Sequence, residues 1–328
     1  MTSSQKFVVC KGTSGMGNRI LAACTALLYG EIANRNVIID WRDSSYSENE
    51  AENSFPSYFD CPSAYPVTAI PETQSVFPTL WVGNLDKSLG KLRDELSSKG
   101  YSEMSFDVSS TDYLEEMLVF CAYTHKIKSL RPLFKDEFEY LKNMTIPEIL
   151  KSVLGSKLHL VQAIHDSIYS YKASNFSANT IGVHVRYTDI RIPLEKLISK
   201  LKPLVNRKKD TTIFLATDSQ EVIGQLRQQF PKVVTADKWF PPQGERMHQN
   251  WDNCPNRYQN GVEALTDLYL LSECDSLVFS SQSSFGYVAS LLSKADPQRI
   301  YDVEINDSPL ARIQRRSKDL IKLFAAKS

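Results

Sequence analysis

The chain has 328 residues, of which 42% are hydrophobic and 23% are charged, as in a globular protein rather than a disordered one. Lys plus Arg and Asp plus Glu number 38 each, so no overall basic charge points to nucleic acid or to an anionic membrane as a partner. No apolar run reaches the roughly 18 residues needed to span a bilayer, and the first residues lack the pattern of a signal peptide. We therefore expect a cytoplasmic protein of two domains, and nothing in the sequence specifies an oligomeric state.

The first half predicts a strand, a glycine turn, a helix and a second strand. Strands are expected over 6–10 and 36–41, with a helix of 3.6-residue apolar spacing over 18–35 between them. Prolines interrupt regular structure from 43 to 114, although many aromatic residues there argue against disorder. A strand over 117–122 follows, and then helices over 133–144 and about 146–171, with a break expected at Gly155.

In the second half, strands alternate with helices after a polar stretch, 174–180, that we interpret as a linker between domains. Strands are predicted over 180–186, 211–217, 233–234, 276–279 and 299–303. Helices are predicted after Pro193, after an N-cap at Asp218 or Ser219, and over 261–273, 284–293 and 308–326. This alternation predicts parallel sheets with helices on both faces, in two α/β domains that face each other across a cleft.

The segment IGVHVRYTD (181–189) carries the clearest chemistry. Ile181, Val183 and Val185 alternate with other residues, as in a buried strand, and the strand ends on Arg186 and Asp189. Charged groups at the end of a buried strand suit a ligand at the edge of a sheet. On these residues alone, an arginine that pairs with a neighbouring carboxylate fits equally well.

Two loops that open helices favour an anionic ligand. The turn GTSGMGNR (12–19) lets the backbone approach a ligand at a helix N-terminus, and the residues of 280–284, SSQSS, place hydroxyl and N–H groups at another. The alternatives are a tight strand-to-helix turn and a serine-rich N-cap. Taken alone, Asp218 or Ser219 in FLATDS (214–219) is better explained as the N-cap of the following helix.

Asp267 interrupts the apolar middle of the helix over 261–273, where a buried carboxylate requires donors. The N1–H and N2–H₂ groups of guanine supply two donors, and a cap or an ion pair is the alternative. No metal site is predicted, because no D-x-D pair lies in a suitable loop and the cysteines and histidines lack ligand spacing. Arginine would then have to neutralise a leaving diphosphate.

Taken in order, these segments resemble the nodulation-factor fucosyltransferases of rhizobia and the related eukaryotic core α1,6-fucosyltransferases. The resemblance covers most of the chain: the glycine turn, IIDWRDSSY (38–46), NSFPSYF (53–59), FPTLW (77–81), GVHVR (182–186), FLATDS and GVEALTDLYLLSEC (261–274). It implies a GT-B fold of two Rossmann-like domains, here residues 1–175 on the acceptor side and 176–305 for the nucleotide sugar, followed by a C-terminal helix over 306–328.

The resemblance also implies roles for residues at matching positions. Arg186 matches an essential arginine at the donor diphosphate, His184 a residue at the nucleotide base, and Asp267 an acid that contacts guanine. Asp218 matches an aspartate near the donor, and Ser281 and Gln282 match the phosphate-side SSQ of the eukaryotic relatives, where the rhizobial enzymes differ. With the turn, the expected donor site comprises Gly15, Gly17, Asn18, His184, Arg186, Asp218, Asp267, Ser281 and Gln282.

The chain departs from the eukaryotic pattern at Tyr187, where those relatives carry a second arginine, and in the shortened loop after Asp189. The glutamate proposed as their base has no counterpart, so Asp189 is assigned as base by position only. Trp239 and Trp251 are assigned to sugar stacking at the acceptor. The expected activity is metal-independent, inverting transfer of fucose from GDP-fucose to a glycan hydroxyl, without a cofactor. The alternatives are another GDP-sugar, an α1,2-linkage, or a catalytically silent protein that binds a nucleotide sugar.

Overall fold

The computed structural model describes residues 5–66, 69–96, 100–187, 194–207, 210–241 and 251–304, with only the backbone of Trp251. The strands are β1 (Phe7–Lys11), β2 (Asn36–Asp40), β3 (Phe59–Asp60), β4 (Val76–Phe77), β5 (Met117–Cys121), β6 (His159–Leu160), β7 (Thr180–Val185), β8 (Thr212–Thr217), β9 (Val233–Val234), β10 (Ser276–Phe279) and β11 (Ile300–Asp302). The α-helices are α1 (Met16–Ile32), α2 (Leu89–Glu95), α3 (Tyr101–Met104), α4 (Ile127–Leu130), α5 (Ile146–Lys157), α6 (Gln162–Asn175), α7 (Leu194–Val205), α8 (Gln220–Gln229), α9 (Arg257–Ser272) and α10 (Ser284–Leu292). None of the helices in these ranges is both long and apolar enough to cross a bilayer.

The first half forms a parallel sheet in the order β2-β1-β5-β4. All residues of β1 and β5 are buried, which is why these short segments are apolar throughout rather than alternating. The register places Phe7 opposite both Asn36 and Met117. The two-residue strand β4 joins the edge of this sheet from within the proline-rich stretch, which periodicity did not predict.

The second half forms a parallel sheet in the order β11-β10-β7-β8-β9. Strand β7 is central and fully buried, between β10 and β8. Its register with β8 pairs His184 with Ala216 and Val185 with Thr217. The residues that follow β7 and β8 therefore leave the sheet side by side. The α/β class with parallel sheets is confirmed in both halves.

Three sequence predictions about helices differ from the structure. The helix predicted over 146–171 is two helices, α5 and α6, because the residues between them form β6, which pairs antiparallel with β3. The break predicted at Gly155 is wrong, since Gly155 lies inside α5. The segment 133–144 contains 3₁₀ turns instead of an α-helix. Helix α9 begins four residues earlier than predicted, where the Asn256 side chain caps it. The helix predicted over 308–326 lies outside the described residues.

A hydrophobic cluster joins the two halves of the chain. It contains Val8 and Leu27 of the first half together with Leu268 and Val288 of the second, whereas each half also has a cluster of its own. Helices α1 and α10 are in contact near their N-termini. A Cβ atom on Gly17 would lie 2.7 Å from the backbone nitrogen of Phe285, so only glycine permits this approach.

A second contact between the halves is made by Tyr58, which is fully buried and packs on the first turns of α9. Its ring stacks on Tyr258 with centroids 5.4 Å apart, and its hydroxyl lies 2.7 Å from the carbonyl oxygen of Tyr46. A Cβ atom on Gly261 would lie 2.3 Å from that hydroxyl. The aromatic residues of the proline-rich stretch therefore fix the position of α9.

We expect Gly17→Ala to lower the free energy of unfolding by about 1–3 kcal/mol, the usual cost of overpacking. The reason is that the added methyl group meets backbone atoms of α10, which cannot move aside as a flexible side chain can. The matched control is Gly224→Ala in the middle of α8, where a Cβ atom meets nothing within 4 Å. This control should gain about 0.5–1 kcal/mol from helix propensity. Urea unfolding measures both, and equal effects in the two variants would contradict the close contact at Gly17.

Candidate active site between the two sheets

A cavity of about 470 Å³ lies between the two halves of the chain. Its walls are formed by residues that follow β1 and β5 of the first sheet and β7, β8 and β10 of the second. The carboxyl ends of parallel strands are where open α/β sheets usually bind ligands. The cavity has the size and position of a site for a small molecule.

The structure brings together all the residues that the sequence assigned to a donor site. The cavity is lined by Gly15, Gly17, Asn18, His184, Arg186, Asp218, Asp267, Ser281 and Gln282. Trp239, assigned to the acceptor, is half-buried but does not line the cavity; its backbone N–H donates to the carboxylate of Glu263 at 2.9 Å. Asp189 and the side chain of Trp251 lie outside the described residues. The roles assigned to all of these residues remain predictions.

Two helix N-termini point into this cavity. The N-cap residues of α1 and α10 are Gly15 and Ser283, and neither makes a side-chain capping bond. The first turn of each helix lines the cavity through Met16, Gly17, Ser284 and Phe285. Free N–H groups and the helix dipole both favour an anion at such a position. Because Gly17 lets the two helices touch, their positive ends act on the same volume.

A buried arginine supports the glycine turn from below. Arg19 is fully buried, its Nε donates to the carbonyl oxygen of Ser14 at 2.9 Å, and its guanidinium forms a salt bridge with Asp43. The guanidinium also lies over the rings of Trp41 and Tyr46, at 5.7 and 5.0 Å. Residues of the IIDWRDSSY segment therefore hold the turn in place.

Arg186 and Asp218 are neighbours because they end adjacent strands. Arg186 Nε lies 3.4 Å from Asp218 Oδ2, and the backbone N–H of Tyr187 donates to Asp218 Oδ1 at 2.8 Å. The cap of α8 is Ser219, whose hydroxyl accepts from the backbone N–H of Val222. Asp218 is thus not the cap of α8; its carboxylate instead contacts the Arg186 guanidinium and the Tyr187 N–H. The arginine side chain is 20% exposed and lines the cavity.

The SSQSS segment is held by acids at the end of β11. Ser280 donates to the carboxylate of Glu304 at 2.8 Å, the Gln282 amide donates to the same carboxylate at 3.0 Å, and the Ser281 N–H donates to Asp302 at 3.1 Å. The serines therefore do not form a capping motif of α10, because Ser283 makes no side-chain cap. The loop between β10 and α10 is instead fixed from behind, with its open side toward the cavity.

His184 is a neutral residue under the cavity. Burial, and then the nearby charges of Arg186 and Lys238, lower its pKa to about 3. Its ring stacks on Phe285 with centroids 5.2 Å apart, and its Nδ1 atom has no hydrogen-bond partner. A Cβ atom on Gly286 would lie 2.8 Å from Nδ1. His184 therefore supports the first turn of α10, whatever it contacts in a bound ligand.

Asp267 is buried in the middle of α9, and its Oδ2 atom accepts a short hydrogen bond from the ammonium group of Lys238. Its Oδ1 atom is buried without a partner. Burial raises the pKa of this carboxyl, and the charge of Lys238 opposes the rise. Of the two possibilities that the sequence left open, an ion pair is therefore present, yet one oxygen still lacks a donor. A buried acceptor in that state costs free energy unless a ligand satisfies it.

Several wall residues were missed by sequence reasoning, including Tyr46, His125, Lys238 and Phe285. Burial and the charge of Lys126 lower the pKa of His125, whose Nδ1 atom is buried without a partner. The signal that would have found His125 and Lys238 is their position shortly after strands β5 and β9. Phe285 had no signal of its own, because an aromatic residue in the first turn of an apolar helix is ordinarily read as core.

Comparisons of the sequence and of the fold both find similarity to nodulation protein Z. The family model described as Nodulation protein Z (NodZ) matches residues 193–320, which include Asp218, Lys238, Asp267 and the SSQSS segment. Nodulation protein Z of Bradyrhizobium diazoefficiens is 24% identical over 341 residues, covering 93% of this chain and 83% of that protein. The galactoside 2-alpha-L-fucosyltransferase of Pisum sativum is 24% identical over 348 residues, covering 94% of this chain and 61% of that protein.

A crystal structure of NodZ alpha-1,6-fucosyltransferase soaked with GDP-fucose has the same fold. It covers 88% of this chain and 93% of its own, with a TM-score of 0.57 and 22% identity. This chain is similar in sequence and fold to the NodZ fucosyltransferases. The similarity to NodZ runs over both halves, so it includes both sheets that form the cavity.

The lowered pKa of His184 predicts how stability depends on pH. Below pH 6.5 the unfolded chain takes up a proton at this residue and the folded chain does not, so stability falls as pH decreases toward 3. Between pH 7 and pH 5 this contribution is about 2 kcal/mol. We therefore expect the free energy of unfolding, measured with urea, to fall between pH 7 and pH 5 by about 2 kcal/mol less in His184→Gln than in the unmodified protein. The control is His165→Gln, which removes an exposed imidazole; an identical pH slope in His184→Gln and the unmodified protein would contradict the buried neutral state.

Proposed function

We propose that this protein is a glycosyltransferase that transfers fucose from GDP-fucose to a hydroxyl group of a glycan. The observation that carries the proposal is the cavity itself. Nine residues assigned independently of the structure line one cavity, where two helix N-termini without an N-cap side-chain bond and Arg186 supply positive potential. A diphosphate is the ligand that this arrangement suits best.

We further propose that the two sheets correspond to two Rossmann-like domains in a GT-B arrangement, residues 1–175 and 176–305, followed by a helix over 306–328. Each half has its own parallel sheet and its own hydrophobic cluster, which supports this division. The shared cluster and the α1–α10 contact mean that the domains pack closely beside the cavity. The acceptor would enter from the side of the first domain.

The proposed reaction inverts the anomeric carbon. The acceptor oxygen attacks C1 of fucose from the face opposite to GDP, the bond from C1 to the β-phosphate oxygen breaks, and the acceptor proton passes to a base. Arg186, oriented by Asp218, stabilises the charge that develops on the diphosphate, together with the N–H groups of α1 and α10. Such preorganised donors cost little reorganisation at the moment of reaction, which is why they are effective. Asp189 remains the positional candidate for the base, and Trp239 and Trp251 for acceptor stacking.

We propose that this chemistry requires no metal ion, since an arginine and two helix N-termini already supply positive charge where Mg²⁺ would otherwise act. Among the described residues there is no group of three or more His, Cys, Asp or Glu side chains suited to a metal. The GDP-fucose donor is a substrate, and no cofactor is implied. The cytoplasmic location remains a prediction.

One alternative is favoured by a specific observation. A relative from Pisum sativum is described as a galactoside 2-alpha-L-fucosyltransferase, so an α1,2 linkage is as consistent with the comparisons as an α1,6 linkage. The donor side of the cavity serves either linkage, because the two differ only in which acceptor hydroxyl is presented. Another GDP-sugar or a silent binding protein would also use the same donor wall.

Turnover with defined donors tests the proposal. The protein is incubated with GDP-fucose, GDP-mannose or UDP-galactose and a panel of glycan acceptors in EDTA, and mass spectrometry follows the release of nucleotide and the mass of the product. We expect GDP-fucose to be consumed fastest, with a fucose added to an acceptor. Tight binding of GDP-fucose without turnover would make the protein a silent binder. Activity that EDTA abolishes and Mg²⁺ or Mn²⁺ restores would contradict the metal-independent mechanism.

Substitution of Arg186 tests its role in turnover. We expect Arg186→Lys and Arg186→Ala to lose at least about 100-fold in kcat, the scale found when a preorganised charge stabiliser is removed. Lysine fails because it cannot offer the planar fork that matches two phosphate oxygens. The matched control is Arg227→Lys on the exposed face of α8, which should keep the unmodified rate. A near-normal kcat in folded Arg186→Ala would remove this residue from the mechanism.

A further inference from the structure

The pair formed by Lys238 and Asp267 is the one buried ion pair in the wall of the cavity within the described part of the chain. The side chains are 3% and 8% exposed, and both residues line the cavity. The Lys238 ammonium also lies 5.6 Å from the centre of the Phe240 ring. Long lysine side chains ordinarily place their charge in water. Because the Lys238 ammonium is instead buried beside an acid at a ligand cavity, we infer that it has a role in binding a ligand.

The hydrogen-bonding groups of the pair form a definite pattern. The ammonium has three N–H donors, of which one bonds to Asp267 Oδ2, and it accepts nothing. The Oδ1 atom of Asp267 is an acceptor without a partner. A ligand edge that complements this wall carries an acceptor opposite Lys238 and donors opposite Asp267, side by side in that order.

Guanine has that order of groups, since O6 is an acceptor and N1–H and N2–H₂ are donors. Adenine reverses it at two positions, because its 6-amino group would face the ammonium and its N1 lone pair would face the carboxylate. Uracil offers an acceptor, one donor and a second acceptor, so it satisfies the lysine but leaves part of the carboxylate opposed by a lone pair. Only guanine among these bases meets both residues without a mismatch.

The neighbouring histidine does not compete for the pair. His184 is close enough for the charge of Lys238 to lower its pKa, and at about 3 that pKa keeps the imidazole neutral at physiological pH. The ammonium bonds to Asp267, and its charge also opposes the rise that burial causes in the pKa of the nearby Glu263. Its remaining donors can be directed toward a ligand.

We propose that Lys238 is a specificity-determining residue that donates a hydrogen bond to O6 of the guanine base, while Asp267 accepts from N1–H and N2–H₂. The proposal rests on the proposed function, because it requires a guanine nucleotide in this cavity, and it adds a second residue to the recognition of the base. Lys238 has two tasks in this arrangement: it compensates the buried carboxylate in the absence of ligand, and it rejects a base with a donor at position 6. A site built with buried polar groups discriminates strongly, since the wrong ligand leaves those groups unpaired.

Calorimetric titration with two altered guanine nucleotides separates the two residues. In 6-thioguanosine diphosphate, sulfur replaces O6 and is the weaker acceptor, whereas N1–H and the 2-amino group remain. Inosine diphosphate keeps O6 and N1–H but lacks the 2-amino group. For the unmodified protein we expect GDP to bind at least about fivefold more tightly than either analogue.

The variants should then show a crossed pattern. Lys238→Met should bind GDP and 6-thioguanosine diphosphate within twofold of each other and keep its preference for GDP over inosine diphosphate. Asp267→Ala should lose that second preference. Lys238→Gln, whose amide still donates but carries no charge, should keep part of the preference for oxygen at position 6. The matched control is Lys11→Met, which removes a buried lysine paired with Asp40 outside the cavity and should leave both ratios unchanged.

Distinct results overturn the two proposals. If Lys238→Met, or Lys238→Gln where the methionine variant fails to fold, loses only the preference over inosine diphosphate, then Lys238 merely supports Asp267 and the contact with O6 is wrong. Equal binding of GDP and 6-thioguanosine diphosphate by the unmodified protein would also show that the contact between Lys238 and O6 is wrong, and this test requires no variant. Equal binding of GDP, ADP and UDP would instead overturn the guanine assignment and the proposed donor.

Discussion

The contact between the N-termini of α1 and α10 is the constraint on which the site depends. Each helix follows a central or near-central strand of its own sheet, and Gly17 allows their backbones to meet. Two helix dipoles that end at one cavity would repel each other without an anion between them. The arrangement is stable in the folded chain because the shared hydrophobic cluster holds the helices together from behind. The fold therefore keeps the positive ends of both helices at one cavity, which favours a negatively charged ligand there.

The other charges around the cavity are paired in a way that limits their cost. Arg186 is held by Asp218 and Lys238 by Asp267, while burial keeps His184 neutral. Burying an ion pair usually gains little stability over an apolar pair, and often none. These pairs are therefore better explained by what they present to a ligand. Arg186 faces the expected diphosphate, and the Lys238–Asp267 pair faces the expected base, so the two ends of a nucleotide diphosphate meet different chemistry.

Much of the fold follows from periodicity, since the strands that became β1, β2, β5, β7, β8 and β10 are short apolar runs between recognisable turns. Strand β4 was not predictable, because two residues in a proline-rich stretch join a sheet only through tertiary contacts. The break between α5 and α6 escaped prediction for the same reason: it is a strand that pairs with distant β3. Gly155 drew attention instead, although a glycine on an exposed helix face is tolerated.

The candidate site was predictable where residues end strands or open helices, as Arg186, Asp218 and Ser281 do. The state of Asp218 was not, because a cap and an ion pair look alike in sequence and only the register of β7 with β8 decides between them. Lys238 follows a strand, but its pairing with Asp267 could not be predicted because Asp267 lies 29 residues away and on a different element. Trp239, the residue next to it, was assigned to the acceptor for its ring alone, and it is not among the residues that line the cavity.

A crystal structure of the protein with GDP is the most direct test that one cavity between the sheets binds the donor. We expect diphosphate oxygens within about 3.2 Å of the Arg186 guanidinium and of first-turn N–H groups of α10, with the guanine edge against Asp267 and Lys238. GDP bound elsewhere would contradict it, and so would GDP in this cavity with its phosphates turned away from both helix N-termini.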